Sequence, residues 1–465
     1  VALILDAHYA VDSEISFDDL RARLTGSVHT PYGPEYDALV SPWNLAVDMR
    51  PAAVVAVRTA EDVVETVRFA GAHGFTTGVQ ATGHGAHSSL AGHLLIVTRG
   101  LDEVTVHPEG WARVGAGVKW SKLVAAATPY GFAGLNGSTT DVGIVGYTTG
   151  GGVGPLARTY GLAADRVRAF EVVTGDGVFR RVTPTQHPDL FFALRGGKGA
   201  AGIVTAIEFD LVDLPSFYGG AVYFDAEDAA AVIDRWRGWA DALPDLGTTS
   251  FVIFQLPPLP EIPPPLAGRM TLGIRFVWTG DPDEGARLLD EMRAVAPVIL
   301  DDARQRPYAE IDAVHADPVE PMPVTDPAIL LNGFPAEAAG RLLQVAGPGS
   351  GSPQVMVEVR HLGGAYARDG AHPSAFSHRA AKFSVLTLGV AADAGMAAGA
   401  LAHADQLFAA LGDWDTGGVW PNFGIPHDRA SALRSYDAAT LARLRQVVET
   451  YDPQGVLQAG AYTRS

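Results

Sequence analysis

Between Val54 and Gly74 the hydrophobic pattern changes period. Val54, Val55 and Val57 form a short apolar run, and after Thr59-Ala-Glu-Asp the apolar positions Val63, Val64, Val67 and Ala70 recur at spacings of three and four. A β-type run followed by that recurrence predicts a strand and then an amphipathic helix, started at Thr59, stopped at Gly74 and leading into Thr77 to Gln80. Further short β-type runs stand at Leu94 to Val97, Val167 to Val173 and Ile203 to Leu211, with a helical pattern at Trp120 to Ala127 and glycine-rich turns between them. This part reads as α+β. Around Pro215 the glycine density drops, and a second unit begins: a helix over Ala226 to Leu243, then a strand over Thr249 to Gln255. Six prolines follow between Leu256 and Pro265. They read as a loop or edge, because strand-like Met270 to Trp278 resumes at once. A helix near Glu284 to Ala294, strands at Gln354 to His361 and Lys382 to Val390, and a helix at Met396 to Leu411 complete the pattern. In Gln354 to His361, Val355, Val357 and Val359 alternate with Met356, Glu358 and Arg360. One face is core, and the other carries Glu358 and Arg360 side by side, about 7 Å apart along the strand. Such a pair is a salt-bridged face or part of a cavity.

The composition adds limits to this picture. With 465 residues, 47% hydrophobic and 18% charged, the chain can bury a large core in two or three units, which excludes disorder and fibrous repeats. Against 52 acidic residues stand 34 basic ones, a formal charge of −18 that repels phosphate backbones and anionic membranes. Neither nucleic acid nor a membrane is an expected partner. No apolar run approaches the roughly 20 residues of a membrane span. Val1 to Asp6 lacks the basic-then-apolar layout of a leader, so a cytoplasmic location is expected. The absence of cysteine removes disulfides, thiolate metal sites, iron–sulfur clusters and cysteine nucleophiles.

Three glycine motifs carry candidate chemistry. Gly197-Lys-Gly-Ala-Ala-Gly202 fits G-x-G-x-x-G, but a strand follows where the dinucleotide fingerprint needs a helix, so that reading is not adopted. Gln80-Ala-Thr-Gly-His-Gly-Ala-His87 and the glycine-rich stretch from Gly143 to Gly154 expose backbone N–H groups to close approach by a pyrophosphate; plain loops read the same way. His84 and His87 are the one histidine pair at metal spacing, and no further ligand stands beside them but Ser88 and Ser89, so no metal is expected.

Taken together, the segments resemble the FAD-linked oxidases of the vanillyl-alcohol-oxidase (PCMH-type FAD-binding) superfamily, in its berberine-bridge-like branch. The match runs from Trp43-Asn44 and Arg50-Pro-Ala-Ala-Val-Val through Gly83-His84, which looks like the flavin-attachment motif. It continues through Val114-Gly-Ala-Gly117, Gly150-Gly-Gly-Val-Gly154, Tyr160-Gly-Leu-Ala-Ala-Asp165, His187 to Gly197 and Gly202-Ile-Val-Thr205, and ends at Asn422-Phe423 and Tyr451-Asp-Pro-Gln-Gly-Val456. The resemblance implies a PCMH-type FAD-binding domain of two α+β subdomains over 1–214. It implies a substrate domain over 215–415 whose antiparallel sheet roofs the flavin, and a return to the FAD domain over 416–465.

The same resemblance implies FAD joined covalently to His84 alone. The position where doubly linked relatives carry a cysteine looks to be Thr139. The implied cofactor contacts are Gln80, Ala81, Thr82, Gly83, Gly85, His87, Thr139, Val142, Gly143, Gly146, Tyr147, Gly150, Gly151, Gly152, Gly154, Gly161, Leu162, Gly202, Val204 and Asn422. Where many relatives have Arg-Ser-Gly-Gly-His and Asn-Phe-Gly, this chain has Gln80-Ala-Thr-Gly-His84 and Ala200-Ala201-Gly202. Glu358 is expected as the base, its pKa raised by desolvation under the roof, with Arg360 holding it ionised or orienting an anionic substrate. The Tyr147 hydroxyl is expected to support charge on the reduced flavin. Val142 resembles the small gatekeeper of oxidase members, which points to O2 as acceptor and peroxide as product. An oxygenase of polyketide-like biosynthesis, a dehydrogenase with another acceptor and a binding protein with vestigial flavin are the alternatives. The substrate is a small organic molecule, and nothing in the sequence gives the oligomeric state.

Overall fold

The computed structural model describes residues 15–86, 90–423 and 429–464. The helix Ala60–His73 starts at Thr59, whose side chain accepts from Asp62 N–H, and ends at Gly74 in the left-handed conformation (φ 73°). The Asp62 carboxylate is buried and accepts backbone N–H groups from Thr25, Gly26, Arg58 and Thr59, which ties the entry of this helix to the strand Ser27–His29. Burial raises its pKa and these backbone hydrogen bonds lower it; the hydrogen bonds prevail. The helix covers a four-stranded sheet ordered Ser27–His29, Ala53–Ala56, Leu94–Val97, Thr77–Gln80, with the last three strands parallel. Residues 104–210 build a second, antiparallel sheet of five strands, Val104–His107, Trp111–Gly115, Ile203–Asp210, Val167–Val173 and Phe179–Val182 in spatial order.

A third sheet of nine strands, antiparallel throughout, is drawn from residues 216–390. Its central strands are Met270–Trp278, Gly247–Gln255, Gln354–His361 and Phe383–Val390. One face packs Phe251, Ile274, Phe276, Val357, Val359 and Val385 under helices Ala229–Ala242, Pro282–Arg293, Ala336–Ala346 and Ala394–Ala410. Phe251 and Phe276 are therefore core, whereas Phe254, on the opposite face, is not. Val355 departs from the predicted alternation: at a register shift between Gln354 and Met356 it lines the cavity beneath the sheet together with Met356. The chain then returns. Helix Ala438–Tyr451 packs on Pro188–Leu194, and Thr77 N–H donates to Val456 O, joining the C-terminal segment to the first sheet. No described helix is long and apolar enough to cross a membrane.

Candidate active site

The segment Gln80–Gly85, the segment 138–147 and the loop 197–204 face the nine-stranded sheet across one cavity of about 1870 Å³. Single small-molecule sites run to about 1,000 Å³, so this space accommodates two ligands, one of them large. Of the expected contacts, Gln80, Ala81, Thr82, Gly83, His84, Gly85, Thr139, Val142, Gly143, Gly146, Tyr147, Gly202, Val204 and Asn422 all line it. His87 lies outside the described residues.

His84 is set by its neighbours. Gly83 has φ +80°, and a Cβ there would come within 2.5 Å of Pro42 Cα, so only glycine lets the loop close on the segment that carries Trp43. The Trp43 indole stacks on the His84 ring, centroids 4.7 Å apart, while Thr82 Oγ1 is 2.9 Å from Nδ1. Nε2 is buried without a partner. Burial lowers the imidazole pKa to about 4, so the ring is neutral at pH 7 and keeps a free nitrogen lone pair or N–H. An orphaned ring nitrogen beside a glycine-lined space, with nothing within 4 Å of where a Cβ on Gly146 would stand, fits the attachment of a flat cofactor with a phosphate-bearing tail.

Six expected contacts fall elsewhere. Gly150, Gly151, Gly152, Gly154, Gly161 and Leu162 do not line the cavity. A Cβ on Gly150 would meet Asn422 Oδ1 at 2.0 Å, on Gly151 Phe376 Cδ2 at 2.3 Å, on Gly152 Ala163 Cβ at 2.6 Å and on Gly154 Asn136 O at 1.9 Å. These glycines admit protein atoms. Gly161 stands at φ +83° after a helix, and Leu162 is fully buried in core.

Under the sheet the electrostatics differ from expectation. Ser250, Arg275 and Arg360 form one cross-strand row, with Glu358 two residues along the same face. Glu358 Oε1 accepts from Ser250 Oγ and Arg275 Nη1, each at 2.7 Å, and Oε2 accepts from Arg360 Nε at 2.7 Å. The carboxylate is fully buried and does not reach the cavity. Burial raises its pKa, but Arg360 and Arg275 outweigh burial and hold it well below the usual carboxylate range. The expected upward shift is thus reversed, and a carboxylate this tightly held is a poor base. Tyr147 lines the cavity, its ring packs where Cβ atoms on Gly137, Gly152 and Gly154 would stand, and its hydroxyl is buried without a partner. Burial drives its pKa well up, with Arg360 acting against that.

Three cavity or roof residues escaped the sequence reading. Arg275 is one, although the alternation of Met270–Trp278 places it with Thr271 and Gly273 on the face away from the helices. His315 lines the cavity, and its backbone carbonyl accepts from Arg275 Nη2; burial and then Arg275 lower its imidazole pKa to about 3, so the ring is neutral at pH 7. Lys198 donates to Gly146 O at 3.0 Å and Asn422 Oδ1 at 2.5 Å, and Asn422 Nδ2 in turn donates to Tyr147 O. Burial lowers the Lys198 ammonium to about 8.

Residues 51–183 match the family described as FAD binding domain. An FAD-dependent monooxygenase of Fusarium proliferatum is 36% identical over 176 residues, 37% of this chain and 34% of that protein. The (R)-6-hydroxynicotine oxidase of Paenarthrobacter nicotinovorans is 31% identical over 195 residues, 41% of this chain and 43% of that protein. The chain thus matches about a third to under half of the length of these curated relatives. Among solved structures, 6-hydroxy-D-nicotine oxidase from Arthrobacter nicotinovorans superposes with a TM-score of 0.81 at 22% identity, covering 94% of this chain and 97% of that one. A chitooligosaccharide oxidase gives 0.83 at 18%, covering 96% and 99%. At such identities these structures establish the fold.

Proposed function

We propose that this chain, which carries an FAD binding domain over residues 51–183 and has the fold of the vanillyl-alcohol-oxidase superfamily, is an FAD-dependent oxidase of a small organic substrate. The observation that carries the reading is one cavity with two different ends, glycine-lined backbone and a His84 whose Nε2 has no partner at one and a guanidinium at the other. FAD, when bound, supplies the acceptor for a hydride from the substrate and the centre at which O2 is reduced to hydrogen peroxide. His84 holds it by one covalent bond, to the 8α-methyl carbon, and no cysteine offers a second. Gln80–Gly85, Gly143 and Gly146 supply backbone along the cofactor, and Lys198 places a cation at that wall without a carboxylate partner among the described residues. Glu358 acts as a positioning residue that fixes Arg360. Val142, small and on the cavity wall, leaves O2 a path.

The test is to reduce the flavin anaerobically, mix with aerated buffer and assay peroxide. Fast reoxidation with one peroxide per flavin is expected, and a Val142→Leu change slows it. Reoxidation over minutes with no peroxide, beside fast turnover with an artificial dye, contradicts the oxidase. The relative described as a monooxygenase gives a second reading, oxygenation of the substrate, which ¹⁸O2 label in the product would establish instead.

A further inference from the structure

The cavity end under the nine-stranded sheet has a composition that narrows the substrate, given the oxidase reading on which this inference rests. Tyr223, Phe254, Leu256, Ile262, Leu266 and Leu300 form one apolar cluster that also lines the cavity. Leu256, Ile262 and Leu266 come from the proline-rich loop between the strands Gly247–Gln255 and Met270–Trp278. This loop is closed by Gly268 N–H to Leu256 O and folded on itself by Ile262 N–H to Leu259 O and Leu266 N–H to Pro263 O. Prolines fix φ, so this wall is stiff before a ligand arrives, and little ordering opposes binding.

Facing the same space is Arg360. Its Nε is held by Glu358 Oε2, and its guanidinium lies over the Phe423 ring at 5.2 Å from the centroid. Its side chain is 12% exposed, and neither Nη1 nor Nη2 donates to any described residue. A guanidinium fixed at one edge and across one face leaves its Nη donors as a fork, the geometry that takes an anionic oxygen. The other charges near it are accounted for. Glu358 is shared with Arg275, Asp317 lies 3.9 Å from Arg275, and His315 is neutral at pH 7. Phe254 pairs with Met356 across the strands, and Arg360 is four residues further along, so wall and fork are separated by roughly 13 Å of strand.

We propose that the substrate is an apolar ring-containing acid, whose flat hydrophobic body of two or more rings lies on the Phe254–Leu266 wall and whose carboxylate or phenolate oxygen binds the Nη groups of Arg360. It is not a neutral sugar, for which an apolar wall offers few of the hydrogen bonds that hydroxyl-rich rings require.

The experiment is isothermal titration of the flavin-loaded protein with biphenyl-4-carboxylate, biphenyl-4-ol, biphenyl-4-methanol, benzoate and cellobiose, with the visible flavin spectrum recorded in parallel. Biphenyl-4-carboxylate is expected to bind at least tenfold tighter than both benzoate, which lacks the body, and biphenyl-4-methanol, which lacks the charge. If phenolates are the natural class, biphenyl-4-ol binds tighter as pH rises toward its own pKa; if carboxylates are, it behaves as the methanol does. Arg360→Met is expected to abolish the preference for carboxylate over methanol while keeping methanol affinity, and Leu266→Asn to weaken both biphenyls while sparing benzoate. Equal affinities of carboxylate and methanol in the unmodified protein, an unchanged ratio in Arg360→Met, or cellobiose binding more tightly than the biphenyls would each overturn the proposal. The unmodified protein alone decides the first and last of these, whatever the stability of the variants. A protein without a flavin band defeats the oxidase reading by itself, while the calorimetric ratios still test the substrate class.

Discussion

At the scale of single residues, Glu358 shows how far a buried charge is governed by its neighbours. Alternation in Gln354–His361 makes Glu358 and Arg360 legible as a same-face pair; burial acts to raise the carboxyl pKa, and Arg360 together with Arg275, 83 residues away and not readable as a neighbour, outweighs it. Because the folded pKa is depressed, the unfolded chain binds a proton more readily. The stabilisation is complete above the ordinary carboxylate range near 4.3 and is lost as pH falls below it toward the folded pKa. Glu358→Gln is expected to cost about 3–5 kcal/mol at pH 7, since it leaves Arg275 and Arg360 buried without their counter-charge, and to flatten the acid limb of a denaturation-midpoint profile. A variant as stable as the parent at pH 7 would mean that water or Asp317 compensates the guanidiniums. His84 works in the same direction at a higher window: with its pKa lowered to about 4, it costs stability as pH falls from about 6.5 through 4, so His84→Phe should remove part of that slope when both proteins are produced without flavin.

At the scale of elements, local signals were readable and long-range ones were not. Thr59, Asp62 and Gly74 mark both ends of Ala60–His73 because capping is settled within a few residues. The glycines of 150–154 could not be sorted in the same way. A glycine that admits a cofactor and one that admits Asn422 or Asn136 look alike in a sequence, since the atom that needs the space comes from a distant segment. Gly154→Ala, whose Cβ would stand 1.9 Å from a backbone carbonyl, is therefore expected to destabilise by about 1–3 kcal/mol through displaced backbone, read as a lower urea midpoint. Asp62→Ala, which strands four backbone amides, is expected to cost about 3 kcal/mol. If either midpoint is unchanged, the packing described around it is wrong.

At the scale of the whole molecule, two small sheets and one large sheet meet at a cavity to which the C-terminal segment adds Asn422, Phe423 and Gln458. The α+β fold was legible because ordered motifs spread along the chain restrict it together, and the lining of the glycine end followed from them. The roof was less legible, since Arg275 and His315 join it through sheet register and a segment with no periodic pattern. All of the proposed chemistry depends on the cavity holding FAD through His84. The direct measurement is the visible spectrum of the purified protein after acid precipitation. Yellow retained in the pellet of the unmodified protein and released to the supernatant by His84→Ala is the predicted result. A colourless protein that takes up no added FAD, or flavin that stays in the pellet of His84→Ala, would contradict it.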